Sequence, residues 1–182
     1  MKPRTADAVL DEALVMACQA RQASAYMALV DRWQPRLLRY LTGMTGRREI
    51  ASDLAQDVWL AVMRGLPHLQ DPARFPAWLY RIAGRHAADW VGGQQRRRRY
   101  DAAHREHIRS ADSADSTSNS DEAEALHAAL DQLSTEHREA VVMHYLQHMS
   151  VADIAQALEL PLGTVKSRLH HARLHLRKLI DR

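Results

Sequence analysis

Cysteine, glycine and proline are scarce in this chain, and long apolar runs are missing. Cys18 is the single cysteine among 182 residues, which excludes an internal disulfide. Only 7 glycines and 6 prolines stand against many Ala, Leu, Arg and Gln residues, and this favours helices over a sheet-rich fold. No window approaches about eighteen consecutive apolar residues, which argues against membrane insertion. The N-terminus has no apolar signal-peptide stretch, so we expect a cytoplasmic protein.

The chain is predicted to be all-α, with two small helical domains joined by a flexible linker and a helix-turn-helix in the second domain. Residues 110–120 contain no large apolar side chain, so this Ser/Asp-rich run has nothing to bury and divides the chain. Apolar residues recur at helical spacing on both sides of it. We assign an N-terminal extension with helical spacing to residues 1–21, a helical domain to 22–98, the linker to 99–124 and the C-terminal domain to 125–182.

The net charge of +3 conceals a segregation of charge along the chain. Residues 72–109 carry nine Arg against three acids, a net of +6, and residues 164–182 carry six Lys or Arg against one acid, a net of +5. The stretch 111–139 between them carries eight acids against one Arg, a net of −7. Two basic surfaces separated by an acidic stretch predict two contacts with a polyanion.

The C-terminal domain contains the most specific local pattern. Ser150 reads as the N-cap of a short helix that the segment 159–161 ends, and a longer basic helix follows from Leu162. This arrangement is a helix-turn-helix, which inserts the start of its second helix into the DNA major groove. The polar side chains opposite its apolar stripe are Lys166, Ser167, His170 and His171. Arg168, Arg173 and Arg177 flank them within reach of phosphates. A solvated basic face on a packing helix is the alternative, and the preceding short helix and turn favour DNA contact.

The second helix of the first domain is apolar on two sides. Opposite its Leu54 and Val58 stripe lie Gln56, Trp59, Leu60 and Met63. Such a helix must be buried all round or must meet a partner. Residues 7–20, which also have helical spacing, could cover that face, and the residues alone do not decide between the two explanations.

A basic ridge follows in the third helix and the loop before it. The loop 69–74 leads into Arg81, Arg85 and the run 96–99, and such a ridge suits a phosphate backbone. Tyr80 falls on the outer side of the helical wheel, where it could stack on an unpaired base.

Neither a metal site nor a catalytic site is predicted. The pairs His144/His148 and His171/His175 have the i, i+4 spacing of a helical two-ligand site, but no third ligand accompanies them. Phosphate-cradling glycine loops and nucleophile elbows are also missing from the sequence. We therefore expect a protein that is not an enzyme and that takes no cofactor and no small-molecule substrate.

Three segments resemble the bacterial extracytoplasmic-function (ECF) sigma factors of the sigma-70 family. Residues 53–60 (DLAQDVWL) and 75–83 (FPAWLYRIA) are similar to the promoter-melting region of that family, and residues 162–173 (LGTVKSRLHHAR) are similar to its C-terminal recognition helix. The resemblance covers about residues 22–98 and 125–180, in the family's order and with a linker between them. These stretches would correspond to sigma regions 2 and 4.

The resemblance implies a factor that binds core RNA polymerase and promoter DNA, with an anti-sigma factor as a further partner. Core polymerase would bind Asp53, Gln56, Asp57, Trp59, Leu60 and Met63. The minus-10 element would meet Gln70, Asp71, Arg74, Tyr80, Arg81 and Arg85, which would hold a flipped base and the adjoining strand. The minus-35 element would be read by Thr164, Lys166, Ser167, Arg168, His170, His171 and Arg173.

Three positions depart from the family pattern. Arg85 stands where the family often has Asn, His171 where it often has Arg, and the turn 159–161 lacks a common glycine. The competing class is a stand-alone helix-turn-helix regulator that binds DNA without polymerase. A structural or adaptor protein is a third class, but it would leave both basic surfaces unexplained.

Overall fold

The computed structural model describes residues 5–104 and 121–180. Within these ranges the chain forms eight α-helices and no strand. The helices are α1 (Ala6–Gln19), α2 (Ala23–Thr45), α3 (Arg48–Gly65), α4 (Phe75–His104), α5 (Asp121–Asp131), α6 (Thr135–Val141), α7 (Val151–Leu158) and α8 (Leu162–Ile180). Short 3-10 turns at Leu66–His68 and Pro72–Arg74 join α3 to α4, and a π-helical turn at Val142–Leu146 continues α6.

Local capping sets several helix ends. The Ser150 hydroxyl accepts from the Asp153 amide, and the Asp153 carboxylate accepts from the Ser150 amide, which completes a capping box at the start of α7. The predicted N-cap is thus confirmed. At the end of α2, Gly46 adopts a left-handed conformation with φ 71° and donates to the Thr42 carbonyl.

Helices α1–α4, here called the N-terminal half, enclose an aromatic core. The Trp33 ring meets Phe75 at 5.6 Å between centroids and Tyr80 at 6.2 Å, and Tyr80 meets Tyr40 at 5.2 Å. These edge-to-face contacts add to the burial of large apolar surfaces. Helix α1 is tied to this core, because the carboxylate of Asp11 accepts from the Trp33 indole at 3.0 Å and from Arg32 at 2.6 Å.

Within helices α5–α8, here called the C-terminal half, the side chain of Arg138 on α6 is buried. Its guanidinium donates to the Leu130 carbonyl at 2.9 Å and pairs with Asp131 at 2.9 Å. It also donates to the Met44 carbonyl of α2 at 2.8 Å. A buried cation must find such partners, and here they come from both halves.

The two halves share one continuous core, although the sequence predicts them as two domains joined by a linker. Buried residues of α2 and α4 pack against those of α6, the π-helical turn and α7. Helix α4 extends to His104 and α5 begins at Asp121, so both helices run into the stretch 99–124 that was predicted as the linker. An α-helix can continue into a polar stretch that has no apolar stripe, because its i to i−4 hydrogen bonds join backbone groups. Residues 110–120 lie outside the described ranges.

Candidate nucleic-acid and partner interfaces

The first turns of α8 present a polar face to solvent. Lys166, Ser167, His170 and His171 are all exposed. The opposite face is anchored by Val165, Leu169 and Ala172, which are buried against α6 and α7. The wheel prediction for this helix is confirmed as far as exposure is concerned. Helix α8 therefore holds four hydrogen-bonding side chains on a rigid support, with their free ends directed away from the core.

The remaining predicted residues of α8 lie at the edges of that face. Thr164 is half-buried, and Arg168 lies 3.9 Å from Glu136 of α6. Arg173 is exposed, and its Nε donates to the Leu169 carbonyl one turn earlier at 3.2 Å. The Ser167 hydroxyl lies 3.4 Å from His171 Nδ1. Three cationic side chains, counting Lys166, thus lie on or beside the exposed face of α8.

The turn between α7 and α8 explains the missing glycine. Glu159 takes the left-handed conformation, with φ 53° and ψ 42°, that a glycine would adopt without strain. Its carboxylate pairs with the Arg81 guanidinium of α4 at 2.8 Å. The side chain that replaces glycine therefore connects this turn to the N-terminal half.

The loop before α4 forms one wall of an open cleft of about 740 Å³. Asp71 caps the turn Pro72–Arg74 by accepting from the Ala73 amide at 3.1 Å, and its other oxygen lies 3.4 Å from Arg74 Nε. Gln70, Asp71 and Arg74 are exposed. Trp78 and Arg81 of α4 also line the cleft, and Gln156 and Glu159 of the C-terminal half close its far side. The cleft has the polar donors, acceptors and aromatic wall that an extruded base requires.

Two of the predicted minus-10 residues are engaged with the C-terminal half. Tyr80 is only 3% exposed, so its predicted outward position is wrong. Its hydroxyl donates to Gln147 Oε1 at 2.9 Å, and burial raises the pKa of Tyr80 to about 12. Its ring packs on Trp33 and Tyr40 of α2, inside the aromatic core, and its hydroxyl reaches Gln147 of the C-terminal half. Arg81 is half-buried and ion-paired, whereas Arg85 is exposed.

The predicted α3 face contains both exposed and buried side chains. Asp53, Gln56 and Asp57 are exposed, as are the apolar side chains of Leu60 (49%) and Met63 (53%). The outward exposure expected for Trp59 is not found, because this side chain is only 8% exposed.

Helix α2 covers Trp59 through two contacts. The indole of Trp59 donates to Gln34 Oε1, and the ring lies edge-on to Tyr26 with centroids 6.3 Å apart. Helix α1 packs on α2 and on the two 3-10 turns and leaves Leu60 and Met63 exposed. The alternative in which residues 7–20 cover the α3 face is therefore wrong for these two side chains.

Metal and membrane sites have no support in the described ranges. Across residues 5–104 and 121–180, no three His, Cys, Asp or Glu side chains converge in a way that could hold an ion. His144 instead makes a 2.9 Å hydrogen bond through Nδ1 with the Met149 carbonyl. In the same ranges, no helix has the length and apolar character needed to cross a bilayer.

The sequence reasoning missed a polar contact at the centre of the interface between the halves. Tyr40 of α2 is fully buried, and its hydroxyl donates to the Glu139 carboxylate of α6 at 3.0 Å. Burial raises the pKa of both groups. Glu139 belongs to the acidic stretch 111–139, and nothing in its sequence context separates it from the neighbouring solvated acids.

Comparison with known families agrees with this two-part architecture. Residues 29–97 match the family model for sigma-70 region 2, and residues 123–176 match the model for sigma-70 region 4. The ECF RNA polymerase sigma-E factor of Haemophilus influenzae is 29% identical over 180 residues, covering 92% of this chain and 94% of the relative. The ECF sigma factor SigL of Mycobacterium tuberculosis is 33% identical over 170 residues, covering 88% and 91%.

Solved structures give the same result. CnrH, in complex with the cytosolic domain of CnrY, matches with a TM-score of 0.72 and 25% identity over 94% of this chain and 97% of that one. The sigma factor RpoE, in complex with the anti-sigma factor NepR from Bartonella quintana, shares the fold with a TM-score of 0.63, 23% identity and coverages of 86% and 96%.

Taken with the exposed face of α8 and the cleft beside α4, these matches define a two-region transcription initiation factor. The chain belongs to the ECF sigma factors of the sigma-70 family. It is a polymerase-associated sigma factor rather than a stand-alone regulator, and sigma factors are not themselves catalysts.

Proposed function

We propose that this sigma factor reads two promoter elements with two separate surfaces, the α8 face and the cleft beside α4, while the exposed α3 face binds core polymerase. The observation that carries the proposal is the α8 face, whose polar side chains are exposed while its apolar side is buried. A helix held in this way can enter the major groove without rearranging the core beneath it.

At the minus-35 element, Lys166, Ser167, His170 and His171 would meet base edges. A lysine ammonium donates to the acceptors of guanine, whereas hydroxyl and imidazole groups can serve several bases. Arg168, Arg173 and Thr164 lie at the margin of the face and would meet the phosphate backbone. Their contacts would set the register of the helix, and the four central side chains would set the sequence preference.

At the minus-10 element, the cleft lined by Gln70, Asp71, Arg74 and Trp78 would receive a base extruded from the non-template strand. Arg85 is exposed on α4 and would contact the adjoining phosphates. Arg81 and Tyr80 would join this surface only when their partners in the C-terminal half leave them. Phosphate contacts here would make binding strongly dependent on salt.

The α3 face would form the polymerase interface. Leu60 and Met63 supply exposed apolar anchors, and Asp53, Gln56 and Asp57 supply a polar surround. Interfaces concentrate their binding energy in a few such anchors. Trp59 would act indirectly in this arrangement, by holding α3 against Tyr26 and Gln34.

An anti-sigma factor is a further proposed partner, supported by membership of a family in which such partners are common. We place the protein in the cytoplasm, where the polymerase acts. No cofactor, metal ion or small-molecule substrate enters the proposed function.

Reconstituted transcription tests the function as a whole. The full chain, mixed with core polymerase, should confer initiation at a discrete start site on a promoter selected by the holoenzyme. A chain that bound promoter DNA equally well with and without core, and conferred no initiation, would contradict the proposal.

A further inference from the structure

The exposed face of α8 carries two adjacent histidines, and a third histidine lies against them from α6. The ring of His171 lies 5.7 Å from that of His170 and 6.1 Å from that of His137, measured between centroids, with the planes tilted by 60° and 55°. These separations are those of aromatic rings in contact. We call the three residues the imidazole cluster. Because the charge of histidine ordinarily changes near neutral pH, the cluster gives this face a charge that depends on pH.

His171 is the central ring of the cluster. Its Nδ1 lies 3.4 Å from the hydroxyl of Ser167, one turn earlier on α8. A hydroxyl can donate to Nδ1 of a neutral ring or accept from Nδ1 of an imidazolium, so this contact serves both charge states. Nε2 is then the ring nitrogen that remains for an acceptor on DNA.

The backbone that carries His137 is held in place by its own helix. The amide of His137 donates to the hydroxyl of Ser134, the N-cap of α6, at 3.4 Å. The next residue, Arg138, is buried and bonded. The half-buried ring of His137 therefore contacts His171 from a fixed support. Helix α6 lies outside the helix-turn-helix, which is why the sequence analysis did not select His137.

The charged groups beside the cluster come from α6 and α8. Glu136 of α6 lies 3.9 Å from Arg168 of α8, and the same guanidinium acts on Glu139. Lys166 and His175 lie on the exposed side of α8 itself. The acids described on the other helices that contact α8 are bonded elsewhere, in the pairs Asp131–Arg138, Asp153–Ser150 and Glu159–Arg81. A DNA phosphate would therefore supply the anion that favours an imidazolium in the cluster.

We propose that His137 is a further residue of the minus-35 surface, where it positions His171, and that binding of minus-35 DNA takes up a proton on the imidazole cluster. The proposal rests on the minus-35 role given to α8 above. Adjacent imidazoliums repel one another, so the uptake is about one proton rather than three. The proton comes from solvent, and Nε2 of His171 then donates to an acceptor on the DNA.

The test is the affinity of the holoenzyme, assembled from the full chain and core polymerase, for a minus-35 duplex at fixed salt. Wild type should bind about fivefold more tightly at pH 6 than at pH 7.5, since uptake of one proton changes affinity by at most about tenfold per pH unit. His171→Gln should lose most of this dependence, and His171→Arg should bind nearly equally at both pH values. Equal pH profiles for wild type and His171→Gln would overturn the proposal.

Two substitutions at His137 test its positioning role. His137→Gln should weaken binding at pH 6 by about threefold, the size expected of one aromatic contact, and should flatten the pH profile. His137→Phe keeps a ring against His171 and should retain the wild-type affinity and profile. The matched control is His86→Gln, since His86 is a half-buried histidine on α4. Thermal unfolding checks that each variant is folded.

The positioning role would be overturned if His137→Gln behaved like wild type, or if His137→Phe behaved like His137→Gln. Lys166→Ala in the same assay separates the proposal from the proposed function. Weaker binding by Lys166→Ala, together with a wild-type affinity that does not change with pH, would overturn the imidazole cluster and leave the minus-35 role of α8 standing. No loss in Lys166→Ala or in any variant of the cluster would overturn both.

Discussion

The two proposed DNA-reading surfaces of this chain differ in their exposure. The α8 face is fully formed and exposed, because its stripe of Val165, Leu169 and Ala172 is buried within its own half. The proposed minus-10 surface is divided, with Gln70, Asp71 and Arg74 exposed and Tyr80 and Arg81 bonded to the other half. One surface depends only on local packing, whereas the other also depends on how the two halves are arranged.

The largest effect is expected on substitution of Trp59. Comparing it with Leu60 and Met63 distinguishes the residues of α3 that support the core from those that form an interface. Trp59→Ala should destabilise the fold by about 3–5 kcal/mol, because it removes a large buried ring and the bond to Gln34. Leu60→Ala with Met63→Ala should leave the melting temperature close to wild type and weaken core polymerase binding by a few kcal/mol. Thermal unfolding and a core-binding titration measure the two effects. Normal core binding by the double variant would remove the α3 face as the polymerase interface.

A smaller effect is expected on the exposed α8 face. Lys166→Ala should weaken binding of a minus-35 duplex by roughly 1–3 kcal/mol and alter base preference, because one base contact is lost. Duplex titrations at fixed salt measure this loss, with the exposed Lys178→Ala as control. An affinity equal to that of the control would remove Lys166 as a base-contacting residue.

Glu139 should make the contact between the halves sensitive to pH. Burial raises the pKa of its carboxyl group, so the packed state favours the neutral acid. Its contribution is then fully present below the ordinary pKa and is lost as pH rises through the raised value. The facing groups are the Tyr40 hydroxyl of α2, Arg168 of α8 and Glu136 of its own helix.

Glu139→Gln should therefore raise the melting temperature by about 2–4 °C at pH 7, which corresponds to roughly 1 kcal/mol in a chain of this size. The gain should shrink towards pH 4.5, because the wild-type acid is then neutral too. Calorimetry across this range measures the effect, and Glu49→Gln is the control, because Glu49 is exposed on α3. A gain that did not change with pH would mean that Glu139 is not ionised in the packed state at pH 7.

The smallest effect concerns the support of the minus-10 loop by α1. The Gln19 amide donates to the carbonyls of Leu66 at 3.1 Å and Leu69 at 2.7 Å, just before that loop. Gln19→Ala should speed hydrogen exchange at residues 69–74 by a few-fold and leave the α8 face unaffected. Gln22→Ala is the matched control, because Gln22 is exposed and makes no side-chain capping bond. Equal exchange in the two variants would mean that α1 does not hold the loop.

Periodicity and capping residues were enough to predict much of the architecture. The stripe of α8, the Ser150 N-cap of α7 and the outward position of Lys166 follow from intervals of three or four residues, which one helix determines by its own geometry. The resemblance of three short segments to ECF sigma factors, drawn from the residues alone, agrees with the family matches.

Only the tertiary structure decided which outward-facing residues meet solvent. Tyr80 packs on Trp33 and Tyr40 of α2 and bonds to Gln147 of the C-terminal half, and Trp59 packs on Tyr26 and bonds to Gln34 of α2. Glu139 lies in an acidic run, yet it is bonded to a buried tyrosine. Local sequence determines the direction of a side chain from its own helix, whereas burial depends on which distant helix packs against that face.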